Sequence, residues 1–236
     1  MARVASSPTQ MTKPTFIPPL QDGDHLTVEE FEHRYENMPE LKRADLIDGI
    51  VHFDPYMPLS RHGEGVGSLV CWLGAYRAYT PGLEGGLNPT LRLRIGVHQP
   101  QTDACLRIRP DWGGRSATKD GFTVGGVELA GEVAANRNSI ELREKLVAYE
   151  QNGVLEYIVW RMEDKEIDWF QLKRGKYQRL AKTKDGVYKS KVFPGLWLDP
   201  QALIAGDLIR VLEIVQQGIA SPEHQRFVAR LQAKKK

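Results

Sequence analysis

The sequence predicts an α+β fold in which antiparallel meander strands lead into one strand–helix–strand unit. Three observations predict it. Leu91, Leu93 and Ile95 alternate with Thr90, Arg92 and Arg94, the period of a half-buried strand. Leu69, Trp72, Leu73 and Tyr76 fall at i, i+3, i+4 and i+7, one apolar helical stripe. Residues 125–160, GGVELAGEVAANRNSIELREKLVAYEQNGVLEYIVW, begin and end as buried strands with a helix between. Short connections there favour a right-handed parallel crossover.

The elements follow in order. Residues 1–19 are polar and contain Pro, and are read as a disordered arm. Thr27 and Glu30 have capping-box spacing and open a short helix through Asn37. RADLIDGIVHF, from Arg43, predicts a hairpin turning at Asp48-Gly49. A helix over 61–79 stops at Pro81-Gly82. TDACLRIRP, from Thr102, is a strand, and WGGRSATKDGFTVGG is a loop with a small excursion. Asn138 and Glu141 predict a helix start, and Asn152-Gly153 its stop. IDWFQLKRGKYQRL and GVYKSKVFPGLWLD give further antiparallel strands, and residues 201–236 a helical extension. The main domain is therefore drawn over 20–200.

Composition narrows the class. The chain has 236 residues, 41% of them hydrophobic and 26% charged, enough for one sizeable core. Its net charge of +2 does not by itself argue for nucleic acid. Cys71 and Cys105 sit in apolar surroundings without metal-ligand spacing and are read as buried thiols. No apolar run reaches membrane-spanning length and the start lacks a hydrophobic signal core, so a cytoplasmic protein without membrane attachment is expected. From Arg161 to Lys191 ten Lys or Arg face five acids, with Trp169, Phe170, Tyr177 and Tyr188 interleaved. That segment is a phosphate-facing hairpin or, with more weight, a solvated sheet whose edge lysines block aggregation. Lys234, Lys235 and Lys236 read as a frayed tail.

Two charges interrupt the apolar pattern of 125–160. On a strand over 127–135, Glu132 shares a face with Glu128, Ala130 and Ala134. An interior carboxylate is costly unless it is paired, metal-bound or hydrated. Either the small residues leave that face solvated, or the acid is functional. Glu128, nearer the strand start, is expected to be exposed. Lys145 falls beside Leu142 and Tyr149 on the helix, where it either snorkels past the core or points across to the carboxylate. Asp103 opens the preceding strand and supplies a second acid. Two carboxylates, waters and phosphate oxygens suit Mg²⁺. An ammonium beside them can orient an attacking water or stabilise charge developing on a phosphate. Pro110-Asp111 also precedes Glu132, but it ends its strand and runs into a turn, so Asp103 is preferred.

QTDACLRI, GGVELAGEVAANRNS and REKLVAYEQNGVLEYIVW, with LTVEEFEHRY, RADLIDGIV and FPGLWLD, resemble the bacterial putative restriction endonuclease family, often called the Uma family, of the PD-(D/E)XK nuclease superfamily. The resemblance runs from Thr27 to Asp199. It implies a restriction-endonuclease-like core, a mixed central sheet flanked by helices with an added antiparallel hairpin, and a metal-dependent endonuclease acting on DNA. Asp103 stands at the Asp of the Pro-Asp element, with Thr102 in place of the usual Pro. Glu132 stands at the second acidic motif. The Lys expected two positions later is replaced by Ala134, and Lys145 from the next helix matches the substitute. Asp45 falls at an early acid that is usually Glu, and is the third metal-ligand candidate with Asp103 and Glu132. His62 matches a His at the start of the long helix, an accessory site residue or a helix-start residue. The resemblance further implies Mg²⁺ or Mn²⁺, no organic cofactor, DNA as substrate and a homodimer. A nuclease fold that has lost catalysis and binds nucleic acid or a partner protein is the rival.

Overall fold

The computed structural model describes residues 16–41, 43–53 and 62–235. Most of the N-terminal arm expected over 1–19 lies outside them, as does Arg61 at the expected start of the long helix. Leu20, just after the arm, is buried.

Helix α1 (Val28–Glu36) opens as its capping residues dictate, with the Glu30 N–H donating to Thr27 Oγ1 at 3.2 Å. Strands β1 (Asp45–Ile47) and β2 (Ile50–His52) form the hairpin. Its turn residues Asp48 and Gly49 both have positive φ, 52° and 76°, as a two-residue turn matched to strand twist requires. Helix α2 (Glu64–Ala78) buries Leu69, Trp72, Leu73 and Tyr76 on one stripe.

Beyond it run β3 (Leu83–Leu87), β4 (Leu91–Arg92) and β5 (Ala104–Ile108). Strand β3 is an edge strand that the sequence reading passed over, because its Gly85-Gly86 pair has low strand propensity. The alternation over Leu91–Ile95 is also cut short. The strand ends at Arg92, Ile95 is exposed, and the Arg94 and Ile95 N–H groups donate to Asn152 Oδ1. The excursion after Trp112 is a hairpin, β6 (Ala117–Lys119) and β7 (Phe122–Val124), and β7 pairs parallel with β4 in a separate three-stranded sheet.

The strand–helix–strand unit is β8 (Leu129–Ala134), α3 (Glu144–Gln151) and β9 (Glu156–Arg161), with β8 and β9 parallel and Glu132 opposite Val159. The helix begins later than the Asn138/Glu141 spacing predicts. Asn138 donates its N–H to Asn136 Oδ1, Ser139 Oγ accepts from the Asn136 N–H, and one 3-10 turn over Ile140–Leu142 precedes α3. Its stop is as expected, with Asn152 closing the helix and Gly153 at φ 72°. Strands β10 (Glu166–Lys173) and β11 (Lys176–Arg179) add an antiparallel hairpin turning at Arg174-Gly175. The central sheet has the order β11-β10-β9-β8-β5-β3 and is antiparallel except at β8–β9. Short strands β12 (Tyr188–Lys189) and β13 (Trp197–Leu198) pair with each other, followed by α4 (Pro200–Ile204), α5 (Leu208–Ile219) and α6 (Pro222–Lys234).

The period-2 pattern of β8 separates two cores. Leu129 and Val133 pack with Leu69, Trp72 and Tyr76 of α2 and with Val211, Val215, Phe227 and Leu231 of the C-terminal helices. Ala130 and Ala134 pack on the other face with Ala148 and Tyr149 of α3. Gly131 permits the first arrangement, since a Cβ there would lie 2.9 Å from a Leu69 methyl. The sheet is therefore mixed and covered by helices on both faces.

Four local expectations are corrected or sharpened. Cys71 is exposed and only Cys105 is buried, because Cys71 lies off the α2 stripe. Glu128 is 2% exposed, not solvated. Its carboxylate accepts from the Ile108 and Arg115 backbone N–H groups, and burial raises its pKa. Trp169, Phe170 and Tyr188 of the basic segment are buried, while Arg161 binds Asp164, Glu166 and Asp168 and Arg179 binds Asp168. Lys234 belongs to α6, and the Lys235 ammonium lies 5.2 Å from the Trp112 ring centroid.

Candidate active site

Glu132 lies mid-way along β8, on the face toward α3, with neighbours opposed by β5 and β9. Asp103 immediately precedes β5, so the antiparallel pairing of Ala104 with Gly131 brings it beside Glu132. The two residues interlock through their backbones. The Asp103 N–H donates to Glu132 Oε2 at 3.2 Å, and the Val133 N–H donates to Asp103 Oδ2 at 2.8 Å.

The helix supplies the cation. Lys145, Ala148 and Tyr149 form the buried face of α3. Lys145 does not snorkel. Its Nζ lies 2.9 Å from Asp45 Oδ2, 3.4 Å from Glu132 Oε1 and 3.5 Å from the Gln101 carbonyl. The Tyr149 hydroxyl donates to Glu132 Oε1 at 2.9 Å. Asp45, at the start of β1, joins the cluster through Lys145, and its Oδ1 accepts the Gln101 N–H. Asp45, Asp103, Glu132 and Lys145 are 2%, 1%, 0% and 0% exposed. They come from β1, the residue before β5, β8 and α3, so the site is assembled from four separate stretches of the chain.

Two further side chains close the cluster. Arg43 Nη1 lies 2.6 Å from Asp103 Oδ1, and Nη2 lies 2.7 Å from the Gln101 carbonyl oxygen and 3.9 Å from Glu132 Oε2. His62, just before α2, brings Nε2 to 3.3 Å from Asp103 Oδ1. Arg43, Asp45 and His62 line a cleft of about 420 Å³ together with His52, Ser139 and Glu141. Asp111, the alternative acid, is remote in role: it sits in a 3-10 turn and pairs with Arg109.

Electrostatics set the two acids apart. Burial pushes the Asp103 carboxyl up, but the His62 hydrogen bond and the Arg43 charge overturn that and hold it well below the usual range. Burial also pushes Glu132 up. Lys145 opposes this and the Asp103 charge adds to it, leaving Glu132 raised. Burial lowers Lys145, but Asp45 and Glu132 outweigh it and keep the ammonium protonated.

Among the described residues no three Asp, Glu, His or Cys side chains converge as a ready metal cage. The interlocked pair still fits a hard divalent ion, which takes one or two carboxylates and fills its shell with water and substrate oxygens. The guanidinium already in contact with both acids marks that position as one suited to a cation.

Sequence reasoning missed Arg43 and the Tyr149 hydroxyl. Tyr149 carried a period signal, since it follows Lys145 by four, one helical turn. Arg43 precedes β1 and carried none, because its partners Asp103 and Gln101 are distant in sequence.

Comparison with known families decides the relationship. The family described as Uma2, putative restriction endonuclease, matches residues 28–201. The chain belongs to this family. As a Uma2 member it is a nuclease at the family level. Among solved structures, the fold is similar to that of a putative nuclease belonging to DUF820 from Anabaena variabilis ATCC 29413, with a TM-score of 0.54 and 13% identity over 76% of this chain and 99% of that one. No curated protein matches the chain. Among the described residues no helix is long and apolar enough to cross a membrane.

Proposed function

We propose that the chain is a metal-dependent endonuclease that hydrolyses DNA phosphodiester bonds in the cytoplasm. One observation carries the reading: two acids from adjacent strands interlock under a cleft, with a fully buried lysine from the crossover helix beside them. A fold stabilised mainly by apolar burial has little need of this arrangement, since buried ion pairs give no net gain over a hydrophobic core.

Asp103 and Glu132 would hold Mg²⁺ or Mn²⁺, with Asp45 as a third acid. The ion would polarise the phosphodiester and lower the pKa of a bound water. Lys145 would orient an attacking water or stabilise charge developing on the phosphate, with Asp45 fixing the ammonium. Tyr149 fixes the rotamer of Glu132 by its hydroxyl hydrogen bond. His62 sits against Asp103 at the cleft wall as an accessory group. The active form is a homodimer, because a duplex has two strands to cut.

The alternative is a nuclease fold that binds nucleic acid without cutting it. The contact of Arg43 with Asp103 favours it, since that acid is already neutralised. Plasmid cleavage separates the two. The proposal predicts nicking with Mg²⁺ or Mn²⁺, none with chelator, and a loss of at least a hundredfold in Glu132→Gln. Salt-sensitive DNA affinity without cleavage is the outcome expected of the alternative.

A further inference from the structure

Arg43 stands between the acids and the space through which an ion must come. Its guanidinium touches both Asp103 and Glu132, and it lines the cleft, whereas those two acids do not. A divalent ion bound at the two acids would lie against the Arg43 guanidinium, because that group contacts both of them. Two cations close together in a site with little solvent repel strongly. The side chain also has somewhere to go, because the cleft of about 420 Å³ lies beside it.

We propose that Arg43 is a displaceable internal cation: it holds the Asp103–Glu132 pair while no metal is bound and leaves it for the cleft when a divalent ion takes its place. This rests on the metal-site reading above and adds the regulation of that site. Ion binding then carries the cost of breaking the Arg43 contacts, so the chain binds metal more weakly than its two acids alone would. It also delivers the guanidinium into the cleft, where the planar fork matches the oxygens of a phosphate.

Calorimetric titration with Mn²⁺ tests this on the full chain. Arg43→Gln is expected to bind Mn²⁺ at least tenfold more tightly than the unmodified protein, and Arg43→Lys to fall between, because an ammonium cannot span both acids. Equal or weaker binding by Arg43→Gln overturns the proposal while leaving the metal site intact. If neither protein binds Mn²⁺, the metal site itself fails and the proposal with it. Removing Arg43 exposes the acids' mutual repulsion and could prevent folding, so a second measurement uses the unmodified chain. In protein labelled with ¹⁵N-arginine, the Arg43 guanidinium resonance, assigned by its loss in Arg43→Lys, is expected to move to the position of a freely rotating group as Mg²⁺ saturates. A resonance unchanged at saturating Mg²⁺ overturns the proposal.

Discussion

Lys145 and Asp45 meet at 2.9 Å with neither side chain more than 2% exposed. The pair ties the crossover helix α3 to the N-terminal hairpin, and the same ammonium reaches Glu132. Breaking one side of a buried pair leaves the other charge unsolvated, at about 3–5 kcal/mol. Lys145→Met, close in volume, is therefore expected to lose stability of that order in urea denaturation, and to lose cleavage. Stability within about 1 kcal/mol of the unmodified protein would mean that Asp45 and Glu132 find other partners.

Tyr149→Phe removes only the hydroxyl that donates to Glu132. Leaving a buried acceptor without its donor costs about 1–3 kcal/mol, so a loss near 2 kcal/mol is expected, with the ring packing against Tyr157 retained. Denaturation of the two proteins side by side checks it.

Much of this site was legible because two periods cross there. The period of two set Glu132 on one face with Glu128, Ala130 and Ala134, and the helical period set Lys145 beside Leu142 and Tyr149. That this strand face meets α3 and that Lys145 is buried came from the structure. Asp45 and His62 were legible only through the family resemblance. Asp103 was legible as the residue opening a strand. The rest depended on partners distant in sequence. Glu128 looked exposed, yet the N–H groups that satisfy it come from Ile108 and Arg115. Arg43 was passed over because its partners, Asp103 and Gln101, lie in another element. Tyr149 was counted as apolar, although its hydroxyl contacts the central acid. The fold was legible wherever apolar spacing ran unbroken, as in α2 and β9, and obscure at β3, where two glycines hide an edge strand.

Glu156 begins β9, and its face is opposite to that of Glu132. Its carboxylate accepts from Ser190 Oγ and from the Lys191 and Val192 N–H groups. Burial pushes its pKa up to about 7 despite these hydrogen bonds. Its folded pKa thus exceeds its unfolded value, so between about pH 4.5 and 7 the folded state holds more of the proton. Stability from this group is full below that window and falls as pH rises through it, by on the order of 3 kcal/mol. Glu156→Gln is expected to flatten the decline between pH 5 and 8 in denaturation series. An unchanged slope would place the titration elsewhere.

Gly126 precedes β8 where the chain passes under the end of α3. A Cβ there would lie 2.3 Å from the Asn152 carbonyl oxygen, a backbone atom that cannot turn aside. Gly126→Ala is expected to cost more than about 2 kcal/mol, measured by thermal denaturation, through displacement of the loop that joins α3 to β9.

The most direct test of the account is the single-turnover rate of DNA cleavage in saturating Mn²⁺ for Asp103→Asn, Glu132→Gln and the double variant. If the two acids act as one metal site, each single change removes nearly all of the activity and the double variant is no worse than either. Cleavage that survives Glu132→Gln, or losses that simply multiply in the double variant, would contradict it.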